Sequence, residues 1–172
     1  MKFTPLPIEG AYTIALSPHC DLRGHFFRNY CAATFEQHGI SFSPLQANVS
    51  HNRARATLRG LHFQVPPHAE SKLILCLSGS VFDAFIDLRP TSPTYLQWST
   101  ATLHSHTPTL LYLPAGLAQG FQTLEDHTTL LYLMGNTYAP ESARVIRYDD
   151  PRFAIPWPLP DPILSPKDLA YP

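Results

Sequence analysis

The sequence predicts a mostly β chain, an antiparallel barrel or double-sheet jelly roll with short peripheral helices. Three observations predict it. Of 172 residues, 18 are proline, roughly twice the usual share of about 5%, and proline at that density cuts long helices short. Apolar residues make up 44%, a fraction that suits a packed core and excludes a disordered chain. Runs rich in Leu, Ile, Val, Tyr and Thr recur at roughly ten-residue spacing with Gly, Pro, Ser and Asn between them.

Taken in order, Ala11 to Leu16 reads as a strand from its Tyr, Thr and Ile content. The segment CDLRGHFFRNY turns at Gly24 into aromatics. Ala32 to His38 suits one or two helical turns, with Gly39 placed as a C-cap. From Leu45 onward the pattern is strands. Leu73 to Leu77 is a compact apolar run, then Ser78-Gly79-Ser80 turns into Val81 to Leu88. There Phe82, Ala84, Ile86 and Leu88 alternate with Asp83 and Asp87, which predicts a hairpin with one buried face. Leu96 to Leu103 alternates similarly. Thr109 to Leu113 stops at Pro114-Ala115-Gly116, and Thr128 to Met134 breaks at Gly135-Asn136. The proline-rich tail from Asp149 is expected to wrap the outside and to end in a short helix after Ser165.

Charge narrows the function classes. Twelve Lys+Arg against 13 Asp+Glu give a formal net charge of −1, which removes the bulk attraction that drives nucleic-acid or anionic-membrane binding. Cys20, Cys31 and Cys76 form no CxxC pair, and an odd count makes a poor disulfide framework. No apolar run approaches the roughly 18 residues of a membrane span, and MKFTPLPIEG lacks the apolar stretch of a secretion signal. The expectation is a single cytoplasmic domain over residues 1–172, with neither a nucleic-acid nor a membrane partner.

The densest chemistry lies in RGLHFQVPPHAESK. Along a regular strand Arg59 and His62, three apart, face opposite surfaces unless a bulge intervenes, whereas Leu58, His62 and Gln64 share one. Lys72 opens the next strand. An imidazole beside an ammonium in an apolar barrel mouth suits acid–base work, because imidazole titrates near pH 6.5. Taken alone, His62 reads as readily as a satisfied core histidine. Tyr132, in TTLLYLM, is either a core aromatic or a proton donor across a pocket from His62. Tyr138, on the turn NTYAPE, offers a ring that can stack on a planar base. Arg23 and Arg59 offer paired N–H donors for a diphosphate. A resident metal is not expected, because Gln64 and Gln119 stand where a histidine ligand set would need imidazoles. His104 and His106 read as surface residues.

Together these residues resemble the dTDP-4-dehydrorhamnose 3,5-epimerase family, cupin-fold enzymes of nucleotide-sugar biosynthesis. The resemblance is carried by DLRGHFF (Asp21 to Phe27), LRGLHFQ (Leu58 to Gln64) and the segment from Lys72 to Trp98. LYLPAGLAQGF (Leu111 to Phe121), YAPE (Tyr138 to Glu141), DDP (Asp149 to Pro151) and PILSPKD (Pro162 to Asp168) continue it in order. It implies a double-stranded β-helix and a homodimer. By this resemblance His62 is the base that removes a proton beside the sugar's C4 ketone, and Asp168 is the carboxylate that orients it. Tyr132 is the acid on the opposite face, and Lys72 the cation near the ketone oxygen. Arg23 and Arg59 then contact the diphosphate, Tyr138 stacks on the base, and Gln46, Asn48 and Lys167 add nucleotide-sugar contacts.

The chain departs from the family pattern at Arg28 and Gln119, both among substrate contacts, where glutamate and histidine are usual. It departs again at Ala47 and Ala143, where aspartate and glutamate are usual. The reaction implied is epimerisation at C3, C5 or both of a nucleotide-diphosphate 4-keto-6-deoxyhexose, with no metal, nicotinamide or flavin. Alternatives are a mono-epimerase of another nucleotide 4-keto sugar, a 3,4-ketoisomerase, or a non-catalytic nucleotide-sugar-binding cupin.

Overall fold

The computed structural model describes residues 1–169. The chain runs β1 (Lys2–Pro5), β2 (Tyr12–Ala15), β3 (His19–Asp21), β4 (Gly24–Phe26), α1 (Ala32–Gln37), β5 (Gln46–Asn52) and β6 (Leu58–Gln64). It continues through β7 (Lys72–Ser78), β8 (Ser80–Asp87), β9 (Trp98–His104) and β10 (Thr109–Leu113). The last elements are β11 (Leu117–Thr123), β12 (Thr128–Met134), β13 (Ala143–Val145) and α2 (Pro166–Leu169). Strands β1-β2-β10-β7-β12-β5 form one antiparallel sheet and β13-β6-β11-β8-β9 a second, with β3-β4 a separate hairpin. Two facing antiparallel sheets of this kind are the jelly roll that the sequence predicts. No helix among the described residues is long and apolar enough to cross a membrane.

The central strands of each sheet are buried on both faces. Between the sheets lie Ile74, Val81, Phe85, Leu103, Leu111, Phe121 and Leu130. Outside the first sheet, α1 inserts Phe35 among Leu73, Leu75, Leu110 and Tyr112. Outside the second, the tail lays Phe153 and Ile155 on Leu61, Ala84, Ile86 and Ala118, with Trp157 edge-on to Phe82. The tail therefore wraps the barrel as expected and ends in α2.

The predicted hairpin is not one. Strand β7 pairs with β10 and β12, while β8 pairs with β9 and β11, so Ser78-Gly79-Ser80 is a corner between sheets. Nor is only one face buried. Phe82, Ala84 and Ile86 point outward under the tail, and the interior face is the one carrying Val81, Asp83 and Phe85. Alternation misleads here because the tail buries the face that would otherwise be solvated. Strand β11 escapes the sequence pattern altogether, since LAQGFQT hides a fully buried strand behind two glutamines and a threonine.

One local feature places the site. In the β6–β11 ladder Gln119 pairs with His62 and Phe121 with Arg59, so two steps on β11 oppose three on β6. This bulge brings Arg59 and His62 to the same cavity and leaves Leu58 out of its wall. Gly60 sits there at φ +123°, and a Cβ on it would lie 2.5 Å from the Gly120 Cα. Substituting Gly60→Ala should cost about 3 kcal/mol or more through backbone strain and overpacking, read from urea unfolding midpoints. Gly39→Ala, at φ +73° with no neighbour within 4 Å, should cost about 1 kcal/mol.

Candidate active site

A cavity of about 410 Å³ opens at one end of the barrel, within the range of small-molecule sites. Its wall gathers residues from six strands, β13 among them, and from α2. His62 and Arg59 come from β6, Lys72 from β7, Gln119 from β11, Tyr132 from β12, Asn48 from β5, and Lys167 with Asp168 from α2. Phe63, Phe121 and Met134 supply apolar surface, and Tyr138 stands at the rim, largely exposed.

His62 donates through Nε2 to Asp168 Oδ1 at 2.8 Å. The other carboxylate oxygen accepts the Ser165 hydroxyl at 2.7 Å, and the Asp168 N–H donates back to Ser165 Oγ at 3.1 Å. Ser165 therefore acts as an N-terminal cap that turns the buried Asp168 toward the imidazole. With Nε2 holding the proton, the lone pair sits on Nδ1. The imidazole pKa is lowered, first by burial and then by the nearby Lys72 and Lys167 charges, against the opposing pull of Asp168. Histidine at neutral pH is thus the free base.

Lys72 is buried, donates to the His62 carbonyl at 2.9 Å, and lies 3.6 Å from buried Glu70. Burial draws its pKa below the ordinary lysine value, while Glu70 and Asp83 pull the other way. Asp83 is fully buried, and burial pushes its carboxyl pKa far up against the Gln119 hydrogen bond and the Lys72 charge. Gln119 Nε2 donates to Asp83 Oδ2 at 2.8 Å, and Asp83 Oδ1 has no partner. The Tyr132 phenol is likewise pushed well up, by burial and by Asp83, so it holds its proton firmly. Arg59 donates through Nε to Asn52 at 2.9 Å, which steadies the guanidinium at the cavity wall.

Nine of the twelve residues singled out in the sequence line this cavity. Gln46 stands one step behind it, donating to Asn48 at 3.0 Å and accepting the Tyr138 N–H at 3.1 Å. Arg23 and Arg28 lie outside it. Arg23 is at the tip of the β3–β4 hairpin, its exposed side chain paired with Asp21 at 2.6 Å, and Arg28 follows β4 beside Met1 and Thr34. Sequence reasoning missed Glu70, Asp83, Ser165 and Arg144. The first two carried a signal, since both flank the lysine in sequence or across the barrel, but alternation assigned Asp83 to solvent. Among the described residues no group of three or more His, Cys, Asp or Glu side chains is gathered.

A family model described as dTDP-4-dehydrorhamnose 3,5-epimerase matches residues 5–172. The chain belongs to that family. The Pseudomonas aeruginosa dTDP-4-dehydrorhamnose 3,5-epimerase is 40% identical over 172 residues, covering 98% of this chain and 93% of that protein. The Bacillus anthracis epimerase, solved with TDP and PPi bound, superposes with a TM-score of 0.96 at 36% identity, covering 99% and 98% of the two chains. The Legionella pneumophila epimerase in complex with dTDP-4-keto-L-rhamnose gives 0.92 at 35% identity, covering 98% and 90%. The family is a nucleotide-sugar epimerase family, and the cupin-like barrel of its members is the fold seen here.

If Asp168 holds the imidazole tautomer, Asp168→Asn should lower kcat about 10²- to 10⁴-fold with little change in KM. If His62 is the base it acts unprotonated, so wild-type activity should persist below pH 6.5 and fall only as pH drops through the lowered imidazole pKa. A kcat–pH profile of both proteins checks this.

Proposed function

We propose that this chain epimerises a nucleotide-diphosphate 4-keto-6-deoxyhexose at carbons next to the ketone. One observation carries the reading: a neutral, carboxylate-oriented imidazole shares one cavity with a buried lysine and a tightly protonated phenol. A proton next to a ketone becomes removable only when charge on the enolate oxygen is stabilised as it forms. Lys72, already desolvated and fixed by the His62 carbonyl, is placed to do that without reorganisation. His62 Nδ1 takes the proton, the C–H electron pair forms the enolate, and Tyr132 returns a proton to the other face. The phenolate and the imidazolium then re-equilibrate with water, so the sugar changes configuration and nothing is oxidised or reduced.

Arg59, Asn48, Tyr138 and Lys167 ring the same cavity and are assigned to the nucleotide diphosphate, with the thymidine form the first choice because relatives are solved with it. Arg23 and Arg28 fit this assignment only if a second copy supplies them. Their hairpin is exposed, with Leu22 and Phe26 both open to solvent, an arrangement that a homodimer would cover.

Incubation with dTDP-4-keto-6-deoxyglucose in deuterated water, followed by NMR, tests the reading. Deuterium should enter at C3, C5 or both with formation of the epimer, and the number of labelled carbons separates a mono- from a double epimerase. No exchange with this or with the cytidine, uridine and guanosine forms would favour a binding protein. The same sample should scatter light at twice the mass of one chain, and a monomer would remove the second-copy assignment.

A further inference from the structure

Glu70 is the buried carboxylate at the cavity that the reaction scheme leaves unused. It stands two residues before Lys72 and lines the same cavity, only 7% exposed. Its Oε1 lies 3.6 Å from Lys72 Nζ, and both side chains are buried. Its Oε2 has no hydrogen-bond partner, and among the described residues the carboxylate makes no second ion pair. The chain around it is tied down at three points. Gln64 Nε2 donates to the His68 carbonyl at 2.9 Å, and Asn136 Nδ2 to the Ala69 carbonyl at 3.4 Å. The Gly135 N–H donates to the Ser71 carbonyl at 2.8 Å. We propose that Glu70 is a positioning residue, whose buried carboxylate keeps Lys72 a cation at the cavity wall.

An ammonium withdrawn from water gives up its proton unless a counter-charge stands close by. The hydrogen bond to the His62 carbonyl satisfies one of the three Lys72 N–H donors but brings no charge. The other groups around Lys72 do not supply one. His62 on β6 is a neutral imidazole and Tyr132 on β12 a protonated phenol, while Arg59 and Lys167 are themselves cations. Asp168 on α2 is committed to His62 and Ser165. Asp83 on β8 is fully buried, accepts from the neutral Gln119 amide, and is driven by burial toward its uncharged form. Glu70 is left as the carboxylate in ion-pair contact with the ammonium. Burial draws the Lys72 pKa down, and Glu70 leads the groups that oppose the fall.

This inference rests on the epimerase reading, in which Lys72 steadies the enolate oxygen only while it is protonated. The test is a kcat–pH profile of the wild-type protein and of Glu70→Gln, an amide of the same shape without the charge. Activity is lost at high pH as Lys72 loses its proton, so removing a stabilising charge brings that loss to lower pH. The alkaline limb should move down by about one pH unit or more, which lowers kcat about tenfold along that limb. His62, Asp83 and Tyr132 are the same in both proteins, so the difference between the limbs reports Glu70. A merely structural role would reduce the amount of active protein without moving the limb. Glu70→Asp, which draws the charge back by one methylene, should move it the same way by less and serves if the Gln variant does not fold. A limb at the wild-type pH in the folded variant, whether or not kcat falls, overturns the role of Glu70 and leaves the epimerase reading intact. Absence of turnover and of deuterium exchange in the wild-type protein overturns the epimerase reading, and this inference with it.

Discussion

The close backbone contact between Gly60 and Gly120 is the constraint on which the site depends. A strand shows alternate residues to opposite faces, so a regular β6 would put Arg59 and His62 on different sides of the sheet. The extra residue at the contact cancels that alternation. It leaves the arginine and the base on one cavity and sets Gln119 directly across from the imidazole. A Cβ on Gly120 would lie 2.7 Å from the Arg59 carbonyl, so both glycines are required for the strands to approach this closely. The geometry of the candidate site therefore begins as a steric property of two residues that carry no chemistry.

Burial then separates the protonation states that the proposed reaction needs. Desolvation favours the neutral form of whichever group it acts on. It lowers the imidazole pKa, making His62 a free base, and it raises the phenol pKa, keeping Tyr132 an acid. It also pushes the Asp83 pKa up, while Lys72 keeps an ion-pair contact with Glu70 at 3.6 Å. A base and an acid poised for opposite transfers are obtained from one environment because they differ in which form is charged. Asp168 is held differently, at the end of the tail, by Ser165 and by the imidazole itself. The proline-rich tail thus closes the outer face of one sheet and delivers the orienting carboxylate.

Much of this was legible in the residues. The mostly β architecture, the short helix closing at Gly39 and the wrapping tail follow from proline density, strand composition and turn residues. His62, Lys72 and Tyr132 stood out as candidates from their residue chemistry and Asp168 from the resemblance, and the structure brings all four to one cavity. What stayed hidden has physical causes. Asp83 looked solvated because periodicity reports that two faces differ and not which one is inside, and the tail reverses the usual answer. Strand β11 was missed because its glutamines are satisfied in buried places, Gln119 inside the barrel by Asp83 and Gln122 under the tail by the Leu159 backbone. The distance of Arg23 and Arg28 from the cavity could not be read from order along the chain, since order alone does not say where a hairpin lies against the barrel.

At neutral pH His62 stands as an uncharged imidazole with its proton on Nε2 and its lone pair on Nδ1. Long-range proton–nitrogen NMR on protein labelled with ¹⁵N-histidine observes that state directly. The account predicts, for the His62 ring at pH 7, one protonated nitrogen, assigned to Nε2, and one unprotonated nitrogen, assigned to Nδ1. A doubly protonated ring at pH 7, or a proton on Nδ1, would contradict it.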